Sequence, residues 1–276
     1  MNDSPPSSPS SCASQRGQSA SPTPLDNRTE VLATQRTGAA TLPKPYYSEP
    51  GIVIYNSDCR EILPLLPKVD LCLTDPPYGI GIGGSGRIGG SGVVQPRDYG
   101  VSSWDDVGLT PEQFDAMRSA SADQIIFGFN HLSDVLPPTP SVLIWDKKVV
   151  NGWDDTFSDA EIAWSSLAGH AKVFRHLWMG ALRGSEKSAE ARAHPTQKPV
   201  VLMRWCLGFA PDAATILDPF LGSGTTLVAA KQLGRQAIGI EIEERYCEIA
   251  ARRVRETTPP LPGIHEPEPV QACLPE

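Results

Sequence analysis

The chain has 276 residues, with 24 Lys and Arg against 32 Asp and Glu, for a formal net charge of −8. That length predicts one large domain or two small ones, and 40% hydrophobic residues suffice for a sizeable core. No apolar stretch approaches the ~20 residues that span a bilayer, and no basic start leads into an apolar signal region, which argues against an integral membrane protein and a secretory leader.

Taken in order, residues 1–45 read as a disordered tail, with eight serines and five prolines between Met1 and Pro24. The folded part is expected from about Tyr46 to Glu256, and Thr257–Glu276, rich in Pro and Glu, reads as a second loose tail. Ile52–Tyr55 is a predicted strand, Arg60–Leu66 a short helix, and Val69–Thr74 an apolar strand that stops at Asp75-Pro76-Pro77. Gln124–Phe129 and Val142–Trp145 are further buried strands; Ala160–Ser165 and Lys172–Met179 are weaker ones. Val200–Phe209 has helical spacing, and Thr215–Leu217 is a short strand. Thr225–Leu233 is a helix ended by Gly234, Gln236–Ile240 a strand, and Glu243–Arg255 an amphipathic helix. There is no internal repeat. Apolar strands alternating with helices predict an α/β fold, a mostly parallel sheet with helices on both faces. Ligands in such sheets sit outside the carboxyl ends of the strands.

The six cysteines (Cys12, Cys59, Cys72, Cys206, Cys247, Cys273) are scattered without a CxxC pair. That spacing argues against a zinc site and a disulfide scaffold, and fits a reducing cytoplasm. The acids Asp154, Asp155 and Asp159 lack calcium-loop spacing, so no metal site is expected. The overall charge argues mildly against nucleic acid. Between Ala171 and Val200, however, Lys172, Arg175, Arg183, Lys187, Arg192 and Lys198 face only Glu186 and Glu190, with His176 and His194 alongside. Such a strip can bind phosphates, or simply be a solvated polar surface.

Asp75-Pro76-Pro77-Tyr78 follows directly on a buried strand. Two prolines make a rigid arm, because they fix φ and restrict the residues before them. The arm holds a carboxylate, a carbonyl and an aromatic ring in fixed relation. A planar ligand bearing an amino group fits: Tyr78 stacks on its ring, while Asp75 and the Pro76 carbonyl each accept one amino proton. A nucleobase amine is a poor nucleophile because its lone pair is delocalised into the ring. Two acceptors aimed at its hydrogens favour a pyramidal nitrogen and stabilise the developing positive charge. Asp75 then takes the proton, directly or through water. The plain alternative is a Pro-rich turn with Tyr78 as a packing residue.

Asp218-Pro219-Phe220-Leu221-Gly222-Ser223-Gly224-Thr225-Thr226 reads as strand, glycine turn and helix start. It is not a phosphate-binding P-loop, since no Lys follows the last Gly. It is not a standard dinucleotide fingerprint either, since Leu227 stands where the third Gly belongs. Glu241 ends the next strand seventeen residues after Gly224, where an acid binds ribose hydroxyls. A nucleoside with an amino-acid tail and no pyrophosphate fits, and S-adenosylmethionine is the candidate, with Asp218 near its ammonium and Phe220 near its adenine. A glycine turn in a cofactor-free α/β fold is the alternative.

The pairing of DPPY with DPFLGSGTT resembles the DNA amino-methyltransferases, which act on exocyclic nitrogens of adenine or cytosine. The order, catalytic motif first and cofactor motif last, resembles their beta class. Asn56-Ser57-Asp58 resembles the family's segment at the cofactor adenine. His194-Pro195-Thr196-Gln197-Lys198-Pro199 resembles the segment that helps hold the methionine part, and Gly239-Ile240-Glu241 with Tyr246 resembles the ribose-binding strand and its helix. The resemblance covers about Ile52 to Arg255. It implies a Rossmann-like methyltransferase fold and S-adenosylmethionine held by Asp58, Asp75, His194, Thr196, Gln197, Lys198, Asp218, Phe220, Gly222, Ser223, Gly224, Thr225, Thr226 and Glu241. It also implies catalysis by Asp75, Pro76, Pro77 and Tyr78, and double-stranded DNA as partner, with the target base flipped out. In the family an Asp at the position of Asp75 usually accompanies adenine, and a Ser cytosine.

Residues 146–193 are expected to hold target recognition. That is short for a complete recognition domain, leaving the Gly-rich loop Gly79–Gly92, a second protomer in a homodimer, or a partner to supply the rest. The loop is read as mobile, with Arg87 reaching a phosphate; a flexible insertion is the alternative. Trp145, Trp164 and Trp178 are read as core, and Trp104 or Trp153 as a base-stacking candidate. Three rival readings remain: cytosine-N4 transfer; an amino-methyltransferase for RNA or protein, whose signature has Asn in place of Asp75; and a non-enzymatic binding module.

Overall fold

The computed structural model describes residues 41–81, 87–88, 97–98, 105–149, 158–179, 182–183, 185 and 197–260. Residues 1–40 and 261–276, most of the Gly-rich loop, Trp104, Trp153, Asp154, Asp155, Lys187, Arg192, His194 and Thr196 lie outside them. The elements are β1 (Tyr47–Glu49), β2 (Ile52–Asn56), α1 (Cys59–Ile62) running into a 3-10 turn (Leu63–Leu65), β3 (Val69–Thr74), β4 (Arg87–Ile88), β5 (Arg97–Asp98), α2 (Pro111–Ala120), β6 (Ser121–Phe127), β7 (Val142–Asp146), β8 (Ala160–Ser165), β9 (Lys172–Arg175), β10 (Trp178–Met179), β11 (Leu182–Arg183), α3 (Val200–Leu207), β12 (Thr215–Asp218), α4 (Thr225–Gln232), β13 (Gln236–Glu241) and α5 (Glu244–Glu256).

Nine strands form one sheet in the order β1-β2-β13-β12-β3-β6-β8-β7-β9. From β2 to β6 all pairings are parallel. Strands β2 and β3 are close in sequence, yet β13 and β12 lie between them. Strand β8 runs antiparallel to both of its neighbours, β6 and β7, so its amino end joins the edge where the parallel strands end.

Both sheet faces are buried, which is why the strands read as continuous apolar runs rather than as alternation. Along β2, Ile52 and Ile54 enter one core with residues of α3, α4 and α5, while Val53 and Tyr55 enter the other, with residues of α1 and α2. Trp145, Trp164 and Trp178 belong to these cores. Cys59, Cys72, Cys206 and Cys247 are buried free thiols. Among the described residues no helix is long and apolar enough to cross a membrane.

Several elements differ from expectation, among them the β4–β5 ribbon and β11, which were not expected, and the predicted helix Arg60–Leu66, which is a short helix and a 3-10 turn. Helix α2 was not expected, because its Ser, Asp and Arg dilute the apolar signal; a Thr110–Gln113 capping box starts it, and Phe114, Met117 and Ala120 recur every third residue on its buried face. The edge strand β1 is three residues long and pairs antiparallel with β2, too short for a periodicity to show. The predicted strand Lys172–Met179 divides, because β9 pairs with β7 and β10 pairs with β11 in a separate ribbon.

The amino ends of β3 and β12 are tied by side chains. Asp70 Oδ2 accepts from the N–H groups of Ala214 (2.9 Å) and Thr215 (2.8 Å) and from Thr215 Oγ1 (2.7 Å). The Asp70 N–H in turn donates to Thr215 Oγ1 (2.9 Å). Asp70→Ala is expected to lower stability by about 1–2 kcal/mol, since the released donors can still reach water. Urea unfolding with an unchanged m-value measures it; no shift in midpoint would show that the tie contributes nothing.

Candidate active site

The parallel strands end along one edge, bringing distant chain segments together. Strand β3 closes with Thr74, and Asp75 follows; β12, its neighbour, closes with Asp218. The buried Thr74 Oγ1 donates to Asp218 Oδ1 at 2.7 Å, so the two motifs meet although they lie on opposite halves of the chain. On the other side of β12, β13 ends at Glu241, in register with Asn56 of β2. The Asn56 amide donates to the carbonyls of Glu241 (2.9 Å) and Ile242 (3.0 Å), which sets the Asn56–Asp58 segment beside Glu241.

The arm after β3 is held at several points. The Asp105 carboxylate, 1% exposed, accepts from the N–H groups of Tyr78 (2.8 Å) and Gly79 (3.1 Å). The Pro77 carbonyl accepts from the Leu109 N–H at 3.1 Å. The Tyr78 hydroxyl donates to Asp75 Oδ1, and its ring stacks on His131 with centroids 5.2 Å apart and planes 16° apart. The ring also lies over Gly128, which has φ +86°; a Cβ there would come within 2.2 Å of Tyr78 Cε1. Only glycine tolerates both that backbone and that approach. His131 already covers one face of the Tyr78 ring.

The glycine turn is braced from the far end of the chain. Gly222 and Gly224 have φ of +51° and +84°. A Cβ at Gly224 would lie 2.8 Å from Ala250 Cβ, so α5 packs directly on the turn. Arg253 of α5 donates to the Ser223 carbonyl (2.6 Å), the Ser223 hydroxyl (3.0 Å) and the Thr225 hydroxyl (3.1 Å). The Ser223 hydroxyl donates to the Gln197 side chain at 3.1 Å. Ser223, Thr225 and Gln197 therefore use their side chains on the turn itself. Glu241 Oε2 accepts from the Gly222 N–H at 2.7 Å and Oε1 from the Glu243 N–H at 2.8 Å. Burial pushes the Glu241 carboxyl up to about 7, and burial likewise pushes Asp218 up to about 6, although Thr226 and Thr74 hydrogen bonds oppose it.

Lys198 differs from its expected surroundings. Its side chain is 4% exposed, and its ammonium donates to Asp75 Oδ2 and lies 3.0 Å from Glu161 Oε2. A buried, paired ammonium is not available to a phosphate, so Lys198 is removed from the basic strip. Within that strip Lys172 and Arg175 are exposed. The Asp58 carboxylate caps α1 through the Arg60 N–H (2.9 Å) and pairs with the Arg60 guanidinium (2.5 Å), which holds it below the usual carboxylate range. Phe220 is partly buried against the core that holds α1 and α2. Pro76 is buried. Sequence reasoning missed Asp105, Glu161 and Arg253, since a lone charged residue in a loop, strand or helix carries no local signature of its partner.

A family model described as DNA methylase matches residues 141–252. The chain is 28% identical to the Type II methyltransferase M2.LlaDCHI of Lactococcus lactis subsp. cremoris, over 79% of this chain and 94% of the relative. It is also 28% identical to the Type II methyltransferase M2.DpnII of Streptococcus pneumoniae, with the same coverage of 79% and 94%. Among solved structures, an M1.HpyAVI–SAM complex aligns with 22% identity and a TM-score of 0.44, over 74% of this chain and 98% of that one.

The Asp105 contact generates a prediction. Asp105→Ala strands two backbone N–H groups beside a buried carboxylate's former position, and is expected to cost about 1–3 kcal/mol. Asp105→Asn keeps one acceptor oxygen and recovers part of that loss. Equal unfolding midpoints for wild type and Asp105→Ala would refute the clamp.

Proposed function

We propose that this chain, which belongs with the DNA amino-methyltransferases, transfers a methyl group from S-adenosylmethionine to the exocyclic amine of adenine in double-stranded DNA. The observation that carries the reading is the Thr74–Asp218 hydrogen bond of 2.7 Å, which sets the acceptor arm and the glycine turn side by side.

The residues at the turn fit that cofactor. Asp218 and Glu241 are carboxylates whose burial opposes ionisation, and both are held by hydroxyl or backbone N–H donors. An ammonium at Asp218 and ribose hydroxyls at Glu241 would offset that penalty. The glycine turn, Phe220 and the Asn56–Asp58 segment would complete the cradle, with Gln197 bracing Ser223. When bound, the cofactor supplies an activated methyl on a positively charged sulfur.

The chain's own residues do the rest. Asp75 and the Pro76 carbonyl accept the two amine hydrogens and draw the lone pair out of the ring system. With the cofactor held there, attack by the amine nitrogen would break the sulfur–methyl bond, whose electron pair would return to sulfur. The positively charged nitrogen then loses a proton to Asp75, directly or through water. Asp105, Gly128 and His131 hold Tyr78 against this arm. The target amine is paired and stacked in a duplex, so the base has to be flipped into the crevice. Asp75 rather than Ser favours adenine by the family resemblance.

The test is transfer of labelled methyl from S-adenosylmethionine to unmethylated duplex DNA, followed by nucleoside analysis. N6-methyladenine is expected, falling at least about a hundredfold in Asp75→Ala. N4-methylcytosine would replace adenine by cytosine; label on RNA or protein alone, or binding without transfer, would overturn the reading.

The two raised carboxyls give a second prediction. Their folded pKa values exceed the unfolded ones, so the stability they contribute is complete at low pH and lost as pH rises through about 6 and about 7. A cationic ligand lowers them again. Binding of S-adenosylmethionine near pH 6.5 is therefore expected to release protons, read by calorimetry in two buffers of different ionisation enthalpy. Equal heats in the two buffers would contradict it.

A further inference from the structure

Four alternating charges run through the protein behind the acceptor arm. Asp75 follows β3, Lys198 precedes α3, Glu161 opens β8 and Lys147 follows β7. The Lys198 ammonium donates to Asp75 Oδ2 and stands 3.0 Å from Glu161 Oε2. Lys147 donates to Glu161 Oε1 at 2.8 Å. The Phe127 ring closes one side of the Lys198 ammonium, with its centroid 4.9 Å away. The contact between Lys198 and Glu161 Oε2 is an ion pair by distance, but Oε2 is buried and has no hydrogen-bond partner. The ammonium thus lies between two carboxylates, hydrogen-bonded to Asp75 and within ion-pair distance of Glu161.

This has a chemical consequence for the proposed reaction. Asp75 meets the Tyr78 hydroxyl with one oxygen and Lys198 with the other. A carboxylate locked in a one-to-one ion pair is a weak acceptor for an amine hydrogen. An ammonium with a second carboxylate within 3.0 Å can redirect an N–H without leaving its pocket.

We propose that Glu161 is a positioning residue for methyl transfer, acting through Lys198: it gives the buried ammonium an alternative partner, so that Asp75 is released to receive the target amine. The proposal rests on the methyltransferase reading above. Lys147 is the outer member that keeps Glu161 charged and in place.

The electrostatics agree with the geometry. Burial alone would raise Glu161, but Lys198 and then Lys147 outweigh it and hold the carboxyl at about 2. Burial raises Asp75; Lys198 opposes that and Glu161 adds to it. Burial disfavours the Lys198 ammonium, and Asp75 and Glu161 more than restore it. The other groups facing this chain are the Tyr78 hydroxyl, Asp218 across β3 and Cys206 on α3. On the outer side, Asp146 of β7 pairs with Arg175 of β9 (3.6 Å), and Lys148 pairs with Asp159 (2.5 Å).

The decisive variants are Glu161→Gln and Lys147→Met, assayed as methyl transfer to duplex DNA across pH. Glu161→Gln leaves a neutral amide oxygen in place of the charged alternative partner and removes the repulsion on Asp75. It is expected to lower kcat by roughly 10–100-fold with little change in KM for DNA, and to move the acid limb of the pH profile to lower pH. Lys147→Met leaves the Glu161 charge less compensated and moves that limb the other way. Glu161→Asp restores part of kcat. A merely structural role would not move the limb in opposite directions. The Asp75 carboxyl carbon, titrated by NMR in the protein alone, reads the same displacements without turnover. Unchanged kcat and an unchanged Asp75 titration in Glu161→Gln would overturn the inference while leaving DNA methylation by the wild type intact. Failure of the wild type to methylate any DNA would instead sink the functional reading, and with it the assignment of Glu161.

Discussion

The hydrogen bond from Thr74 to Asp218 joins two buried groups at the ends of two adjacent strands. It is short because β3 and β12 are parallel neighbours in register, Leu71 opposite Ile216 and Cys72 opposite Leu217. A parallel pair ends at one edge, so whatever follows each strand is delivered to the same place. The acceptor arm follows one and the glycine turn follows the other. Their proximity is therefore a consequence of sheet order rather than of any long-range loop.

The same edge explains the charged residues that surround the arm. In an all-parallel sheet the next strand would bring only its carboxyl end. Here β8 is antiparallel, so it presents its amino end, and Glu161, to that edge. Strand β7 runs back again and ends beside it, which places Lys147 next to Glu161. A buried ammonium such as that of Lys198, and three half-buried charges beside it, would each be costly alone. In alternating order they compensate, and the low dielectric strengthens each contact.

What could be read in the sequence follows from how each feature announces itself. Val69–Thr74 and Ala160–Ser165 are strands as expected, because a buried strand is a run of apolar residues bounded by breakers. The two motifs were legible because glycine and proline restrict or free the backbone locally. Helix α2 was hidden: three buried side chains sit among polar ones, and its Thr110–Gln113 box was the available sign. Lys198 was legible as a basic residue in a basic stretch but not as a buried one, since its partners come from β3 and β8. Arg253 was hidden for the same reason, as one arginine among several on an amphipathic helix.

The position of β13 and β12 between β2 and β3 bears on how the chain acquires its shape. Until Thr215–Glu241 has emerged from the ribosome, β2 and β3 lack a partner on the side facing that gap, although β1 and β6 can pair with their other sides, and each exposes a row of unsatisfied N–H and C=O groups there. Closing the gap requires contacts between residues nearly two hundred positions apart, such as Asn56 with Glu241, and contacts of that span form slowly. A chain cut short before Thr215 would carry two sticky borders in place of a seam, and self-association through them is its expected fate.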